Sequence, residues 1–203
     1  MIKLRKTIHE IISNEVPENC KVLDLGCGEG DLLNFLINNK KVLGHGIDIN
    51  STAIIKCIEK GISVIQWDLD LLPLDFRDKS YDCTILNQTI TQIRKPKEMI
   101  DEMLRIGKKG ILGFLNFGNI GIRLQFLFEG KMPIAKEIPY KWYDTPNIRL
   151  LTIKDFYSFC KENDITIEKV VFLKRKIFGE TYKKIKLLPN LRADLSVFII
   201  KKT

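Results

Sequence analysis

Residues 22–31 read Val-Leu-Asp-Leu-Gly-Cys-Gly-Glu-Gly-Asp, and this stretch decides the fold. Residues 21–25 form a short, mostly apolar run, and three alternate glycines at positions 26, 28 and 30 follow it directly. Such a pattern is typical of a buried strand that ends in a tight loop. Residues 31–39 then place a broad apolar face at helical spacing. A strand, a glycine-rich loop and a helix in this order predict the first unit of an open α/β sheet, whose ligands bind at the carboxyl edge of the strands.

The same alternation of strands and helices continues along the chain. Strands are predicted at residues 21–25, 42–49, 63–67, 81–86, 110–115, 165–173 and 195–201, and helices at 2–16, 31–39, 51–60, 96–107 and 152–162. Residues 117–150 break this pattern with glycines, prolines and aromatic side chains, and therefore predict an insertion after the fifth strand. We expect a single α/β domain over residues 1–203: a Rossmann-like, seven-stranded, mostly parallel sheet with helices on both faces and an N-terminal helix within residues 1–19.

The composition limits the class of protein. The chain has 203 residues, 45% of them hydrophobic, and its 33 basic and 25 acidic residues give a formal charge of +8. The apolar content excludes a disordered chain, no run approaches the ~18 apolar residues of a membrane span, and the N-terminus lacks a secretory pattern. The five cysteines are widely spaced, which argues against a disulfide framework or a zinc site. We therefore expect a protein of the reducing cytoplasm, without a metal ion and without a membrane partner.

The basic excess consists mostly of lysine, which accounts for 25 of the 33 basic residues. The densest stretch runs from Lys169 to Lys186. Nucleic-acid-binding proteins usually rely on arginine, because its planar group pairs bidentately with phosphate and guanine. The stretch therefore favours a solvated surface and argues against a nucleic-acid partner. The composition does not decide whether the chain associates with itself.

Carboxylates recur at the predicted carboxyl edge of the sheet. Asp24 closes the first strand, Asp48 closes the second, and Asp68 and Asp70 follow the third. Asp48 lies about 20 residues after the glycine loop, the spacing at which an acidic side chain accepts ribose hydroxyls. The loop lacks the lysine of a phosphate-binding P-loop, and its acidic side chains oppose a pyrophosphate at the helix start. This edge suits a cationic nucleoside such as S-adenosylmethionine (SAM), which has a sulfonium, an ammonium group and a ribose but no phosphate.

These residues resemble the class I SAM-dependent methyltransferases, and further blocks narrow the resemblance to the MetW family of methionine-biosynthesis proteins. The narrower resemblance rests on Asp68–Asp70, Asn87–Thr89, Asn116–Gly118, Arg123, Gly130–Pro133, Pro139–Asn147 and Leu188–Leu191. Arg149 departs from the family pattern, which has a histidine at that position. The resemblance covers nearly the whole chain from about residue 20, and it implies a single-domain, Rossmann-like class I methyltransferase fold.

The resemblance also implies which residues bind SAM or its product S-adenosylhomocysteine (SAH). It assigns the methionine half to the glycine loop, the ribose to Asp48, the adenine to the residues after the third strand, and the sulfonium end to Asn87. The cofactor-binding residues expected in this way are Asp24, Gly26, Cys27, Gly28, Gly30, Asp48, Ile49, Asp68, Leu69 and Asn87.

The sequence does not identify a catalytic group for methyl transfer. His9 is expected on the surface of the first helix, and His45 is expected away from the ligand edge. The weak candidates for a catalytic role are Asn87, Tyr143 and Asp144, the last two only if the insertion folds over the pocket. Trp142 and Tyr143 are expected instead to pack the insertion down. Whether the chain is an enzyme therefore stays open.

Three functions follow from these observations. Because members of the MetW family are associated with homoserine O-acyltransferase, the resemblance implies a SAM-binding accessory partner of that enzyme in methionine biosynthesis, in which the cofactor orders residues 117–150. The second function is an active SAM-dependent methyltransferase that acts on a small metabolite. The third is a nucleic-acid-associated methylase, whose binding would weaken steeply with salt.

Overall fold

One mixed sheet runs through the protein, of which the computed structural model describes residues 2–135, 139–176 and 181–203, with the backbone alone for residues 2–6. The strands are β1 (Lys21–Leu25), β2 (Leu43–Asp48), β3 (Ser63–Gln66), β4 (Tyr81–Asn87), β5 (Gly107–Leu115), β6 (Ile165–Arg175), β7 (Tyr182–Ile185) and β8 (Leu195–Lys202). Their order in the sheet is β3-β2-β1-β4-β5-β8-β6-β7. The first five strands pair in parallel. The pairs β5–β8, β8–β6 and β6–β7 are antiparallel. The mostly parallel α/β sheet predicted from the sequence is thus confirmed.

Helices alternate with the strands, and local sequence signals set their ends. They are α1 (Ile2–Ser13), α2 (Asp31–Lys40), α3 (Ser51–Glu59), α4 (Pro96–Ile106), α5 (Ile120–Glu129), α6 (Ile153–Glu162) and α7 (Pro189–Arg192), with a 3-10 turn at Ile90–Gln92. The Asn50 side chain caps α3 by accepting a hydrogen bond from the Ala53 amide at 3.0 Å. Thr152 and Asp155 form a reciprocal cap at the start of α6.

The helices bury both faces of the sheet. Successive residues of β1 point to opposite faces, so that Leu23 belongs to the core under α4 and α6 while Val22 belongs to the core under α1 and α2. The first core contains three packed rings: Phe198 stacks on Phe114 at 5.5 Å between centroids and meets Phe156 edge-on at 4.7 Å. Burial on both faces explains why the central strands read as nearly continuous apolar runs.

The sheet has one strand more than the seven that the sequence predicts. The additional strand, β7, lies at the edge of the sheet and pairs only with β6 among the described strands. Its Lys183 and Lys184 are exposed, and lysines on an edge strand hinder pairing with a strand of another molecule. Earlier in the same basic stretch, Lys169 and Lys174 form ion pairs with carboxylates at 2.6 and 2.8 Å. The stretch is therefore largely a solvated sheet edge, and its residues 177–180 lie outside the described part.

The insertion after β5 contains a helix that the sequence does not predict. This helix, α5, follows a cap in which the Asn119 side chain accepts a hydrogen bond from the Gly121 amide at 2.8 Å, and it ends at Gly130 with a φ of +62°. β5 begins at Gly107, directly where α4 ends and three residues before the predicted start. A helix thus passes into a strand here without an intervening loop.

Candidate functional site

The glycine loop between β1 and α2 is held by backbone hydrogen bonds. The amides of Gly26 and Cys27 both donate to the Ile47 carbonyl, at 2.8 and 3.0 Å, and tie the loop to the end of β2. Gly30 has a φ of +76°, and a Cβ atom there would lie 2.7 Å from the Cδ1 atom of Ile62. Only glycine fits this position. Gly30 is therefore a packing residue, and it lines neither of the cavities described below.

Asp48, at the end of β2, is oriented by two backbone amides. Gly28 donates to its Oδ2 atom at 2.7 Å, and Asn50 donates to its Oδ1 atom at 2.9 Å. Each carboxylate oxygen can accept a second hydrogen bond. Gly28 itself faces open space, because a Cβ atom at this position would meet no atom within 4 Å. The carboxylate is thus fixed in direction and can still bind a donor from a ligand.

Two cavities lie side by side at the carboxyl edge of the parallel strands. The large cavity has a volume of about 640 Å³ and the small cavity one of about 270 Å³. Both include Gly26, Gly28, Asn87 and Gln88 in their walls, so that they form one continuous recess. Nine of the ten residues predicted to bind the cofactor line one cavity or the other, Gly30 being the exception.

Asp24 lines the small cavity, although only 2% of its surface is exposed. Burial raises the pKa of its carboxyl group to about 7, and the negative charge of Asp48 adds to this shift. No group in the described part of the chain donates a hydrogen bond to the Asp24 side chain. A ligand cation at this point would therefore stabilise the ionised carboxylate.

Apolar side chains and carboxylates share the wall of the large cavity. Ile49 and Trp67 are exposed at its rim, whereas Leu69 belongs to the core. Asp48, Asp68 and Asp70 supply the acidic groups. Flat apolar walls with a few directed polar groups are typical of pockets that bind small molecules.

Asn87 ends β4 where the two cavities meet. Its Oδ1 atom is buried without a hydrogen-bond partner in the described structure, and it lies against Gly113, which leaves no room for a Cβ atom. Gln88 follows with a φ of +61° and donates its amide to the Gly113 carbonyl at 2.7 Å. The side chain of Thr89 packs where a Cβ atom of Gly26 would lie. Gln88 and Thr89 line the large cavity, although nothing in the sequence marks this sharp turn.

His9 is half-buried on α1 and lies in the wall of the small cavity, where the sequence predicts only a surface position. Its ring contacts that of Phe35 on α2, at 5.9 Å between centroids, and Ile8 beside it is buried. Tertiary packing, rather than local sequence, places α1 against the ligand edge. His45 lies outside both cavities, as predicted, and shares a hydrogen bond with the Tyr81 hydroxyl at 3.0 Å. Burial lowers the pKa of His45.

The aromatic segment of the insertion does not reach the recess. Tyr143 and Asp144 are exposed and line neither cavity. Trp142, predicted to pack the insertion down, is 74% exposed and meets the Tyr143 ring at 5.5 Å between centroids. The insertion instead contributes Ile148 to the large cavity. The Ile148 amide and the next one both donate to the Thr91 carbonyl at 2.9 Å, and this contact fixes the insertion beside the 3-10 turn.

Two of the blocks that narrow the resemblance to MetW meet at the base of the insertion. The Asn116 side chain donates to the carbonyls of Asn190 and Ala193, at 3.0 and 2.9 Å. The amide of Phe117 donates to the Leu151 carbonyl at 3.0 Å, which closes the two ends of the insertion on each other. Residues far apart in the chain thus form one buried polar network that positions α5.

The described residues contain no group of three or more His, Cys, Asp or Glu side chains placed to hold a metal ion. All five cysteines are buried, and burial raises the pKa of the Cys83 thiol to about 12. The helices that the structure describes include none with the length and apolar character needed to cross a membrane.

Solved structures with the same arrangement of strands and helices define the fold. A SAM-dependent methyltransferase of Thermotoga maritima, described as a possible histamine N-methyltransferase, has a TM-score of 0.73 at 17% identity and covers 98% of this chain and 88% of its own. A SAM-dependent methyltransferase of Aquifex aeolicus has a TM-score of 0.63 at 14% identity, over 98% of this chain and 92% of its own. The fold is therefore that of the SAM-dependent methyltransferases.

The chain belongs to the MetW family. The family model for "Methionine biosynthesis protein MetW" matches residues 6–200. The "Bifunctional methionine biosynthesis protein MetXA/MetW" of Rhodopirellula baltica is 31% identical over 172 residues, which are 80% of this chain but only 28% of that relative. An uncharacterized protein of Methanocaldococcus jannaschii is 29% identical over 156 residues, 75% of this chain and 67% of the relative. The chain thus spans less than a third of the bifunctional relative.

Proposed function

We propose that this chain binds SAM or SAH and serves as an accessory partner of a homoserine O-acyltransferase in methionine biosynthesis. The main support for SAM or SAH binding is the recess at the strand ends, whose walls contain nine of the ten predicted cofactor-binding residues. The partner is supported by the relative whose name joins MetXA and MetW in one polypeptide. In this proposal residues 1–203 act as one methyltransferase-like unit in the cytoplasm, where a biosynthetic enzyme would meet it.

Different residues of the recess would bind different parts of SAM or SAH. Asp48 would accept the ribose hydroxyls, since both of its oxygens retain acceptor capacity. Ile49 and Leu69 would flank the adenine, with Asp68 beside its amino group. Asp24 would pair with the ammonium group of the amino-acid tail, and Asn87 would lie near the sulfur. When bound, SAM supplies an electrophilic methyl group, whereas SAH does not.

Calorimetry and thermal unfolding in the presence of SAH test whether the chain binds this ligand. A ligand at about 100 times its Kd adds roughly 2.7 kcal/mol of stability, which for a chain of this length raises the Tm by roughly 5–11 °C. The Asp48→Ala variant should lose most of this shift, because it lacks the acceptor for the ribose. Lys184→Ala, on the exposed edge strand β7, is the control and should keep it. The absence of a shift in the wild type, or an undiminished shift in Asp48→Ala, would contradict the proposal.

The partner would bind the exposed apolar side of the insertion. We call this the α5 surface, and its members are Leu124, Phe126, Leu127, Phe128 and Met132. No residue of α5 is buried, and Leu127 and Phe128 are 71% and 79% exposed. Contiguous exposed apolar groups of this kind are typical of protein interfaces. In the bifunctional relative a MetXA segment shares the polypeptide with the MetW segment, and we therefore propose an acyltransferase of that type as the occupant.

The α5 surface and the recess belong to one connected segment. The insertion that carries α5 also contributes Ile148 to the large cavity and is hydrogen-bonded to the 3-10 turn at Ile90–Gln92. A ligand that contacts Ile148 could therefore change how the insertion presents α5. Such coupling is reciprocal, so a partner that binds more tightly to the liganded chain must also tighten ligand binding.

Co-purification tests whether a homoserine O-acyltransferase binds this chain. Leu127→Asp places a charge on the α5 surface and should abolish co-purification and any change in acyltransferase activity. Ile58→Asp is the matched control, because Ile58 is an exposed aliphatic residue of α3 on another part of the surface. Equal effects of the two variants, or no association of the wild type at micromolar concentration, would contradict the proposed interface. Formation of SAH from SAM with a small metabolite would favour the alternative, an active methyltransferase.

A further inference from the structure

The wall of the large cavity differs in chemistry from one side to the other. The side that would bind the nucleoside comes from the ends of β2 and β3 and includes Asp48 and Asp68. The other side comes from the segment after β4 and from the insertion, and it includes Gln92, Arg94 and Ile148. The contacts proposed for SAM or SAH use none of these three residues. This side of the cavity is therefore available to another ligand group.

Arg94 is held in this wall through its backbone. Its amide donates to Oδ1 of Asp70 at 2.8 Å, and its carbonyl accepts a hydrogen bond from Nη2 of Arg149 at 2.7 Å. Asp70 follows β3, whereas Arg149 belongs to the insertion. Two separate segments of the chain thus fix the point from which the Arg94 side chain extends.

The guanidinium of Arg94 is a cationic group with donors to spare. Among the described residues that line the large cavity, no other side chain carries a positive charge. The Arg94 side chain is 82% exposed, and its Nε atom lies 3.9 Å from Oδ2 of Asp70, an ion pair that is longer than a hydrogen bond. A guanidinium presents five N–H donors in a planar fork. The distant carboxylate of Asp70 therefore leaves this fork able to bind an anion.

We infer that Arg94 binds the carboxylate of a second small ligand, which occupies the large cavity beside the nucleoside. The inference rests on the proposed function, since it requires SAM or SAH on the acidic side of the cavity. An arginine fork pairs with both oxygens of a carboxylate, whereas the charges of Asp48 and Asp68 repel an anion from the other side. The exposed side chain of Ile148 offers an apolar contact to the body of the ligand. The ligand class is thus a short-chain carboxylate, which would be the methyl acceptor if the chain is an active methyltransferase.

Calorimetry with butyrate, on the chain saturated with SAH, tests this assignment. Butyramide is the matched probe, because it resembles butyrate in shape and carries no charge. Arg94→Gln removes the guanidinium. Arg77→Gln is the control, because Arg77 is an exposed arginine that lines neither cavity. The Kd of SAH is measured first for each variant, so that every titration starts from the saturated chain.

Butyrate should bind the saturated wild type, and Arg94→Gln should weaken it about tenfold to a hundredfold, the range for a hydrogen bond to a charged group. Butyramide should bind the wild type at least about tenfold more weakly than butyrate, and Arg77→Gln should change the Kd of butyrate less than about twofold.

The assignment is overturned if butyrate does not bind the saturated wild type, if it displaces SAH, or if Arg94→Gln leaves its Kd unchanged. Equal affinities for butyrate and butyramide overturn it as well, because they show that the charge is not recognised. In each of these cases a normal Kd for SAH leaves the proposed function standing. A wild-type chain that does not bind SAH overturns the proposed function, and the assignment falls with it.

Discussion

Asp24→Asn should make the ligand-free protein more stable at alkaline pH while it removes a group that binds the ligand. The folded chain holds the pKa of Asp24 at about 7, above its ordinary value of 3.8, mainly through burial and then through the charge of Asp48. Between these two values the folded state binds more protons than the unfolded state. The free energy of unfolding therefore falls as the pH rises. The stability associated with the neutral carboxyl group is complete below pH 3.8 and is lost as the pH rises through about 7.

The size of the effect follows from the difference between the two pKa values. At about 1.4 kcal/mol per unit, the free energy of unfolding is lower than at acid pH by about 2 kcal/mol at pH 5, where Asp24 is neutral in the folded state but ionised in the unfolded state, and by up to about 4 kcal/mol above pH 7. Asparagine does not ionise in this range. The advantage of Asp24→Asn over the wild type should therefore grow by about 2 kcal/mol between pH 5 and pH 8, or roughly 4–8 °C in Tm.

Thermal unfolding of both proteins at pH 5 and pH 8 measures this difference directly. All other titrating groups are shared by the two proteins, so their contributions largely cancel. With SAH present at pH 8, Asp24→Asn should show a much smaller rise in Tm than the wild type. If the difference in stability is the same at both pH values, Asp24 does not titrate differently in the folded and unfolded states, and the reasoning is refuted.

Three further predictions concern stability. Gly30→Ala places a Cβ atom in occupied space at a positive φ and should cost about 2–4 kcal/mol in urea unfolding, whereas Gly28→Ala meets open space and should cost about 1–2 kcal/mol from its left-handed backbone alone; equal costs would contradict the packing role of Gly30. Asn116→Ala removes the acceptor of two buried amides, those of Gly118 and Ile153, together with the donor to the Asn190 carbonyl, and it should lower the free energy of unfolding by about 2–4 kcal/mol, measured by calorimetry. Arg105 lowers the pKa of Glu102, so the stability from this pair is present above the ordinary value of 4.5 and is lost as the pH falls through the lowered pKa. The deficit of Glu102→Gln at pH 7 should shrink as the pH falls below 4.5, and a deficit independent of pH would exclude the ion pair as its cause.

Much of the fold could be predicted because its signals are local. The strands of the parallel half are apolar runs bounded by glycines and polar residues, and the caps at Asn50 and Thr152 involve residues only three positions apart. Elements that depend on distant partners were missed. β7 has the sequence Tyr-Lys-Lys-Ile and becomes a strand because β6 offers an unpaired edge. α5 carries apolar residues on all sides, so its sequence lacks the periodic stripe of a surface helix.

Some residues of the candidate site could likewise be predicted from local sequence, and others could not. Acidic residues at the ends of parallel strands must meet at one edge of the sheet, and the cavities there contain the predicted Asp24, Asp48 and Asp68. Spacing alone could not distinguish a glycine that lines the recess, such as Gly28, from one that packs against the core, as Gly30 does. The contribution of His9 depends on how α1 packs, and that arrangement is set by residues far along the chain.

The insertion has one more consequence, which concerns the divergence of related proteins. The insertion leaves the end of β5 and comes back beside it before α6 begins, because Phe117 and Leu151 are joined by a backbone hydrogen bond. A segment with joined ends can change in length and sequence without altering the position of the strand before it or of the helix after it. Selection can therefore remodel what this segment recognises while the nucleoside recess is inherited intact. Ile148 belongs to the insertion and also lines the recess, so changes at this position must be compatible with both.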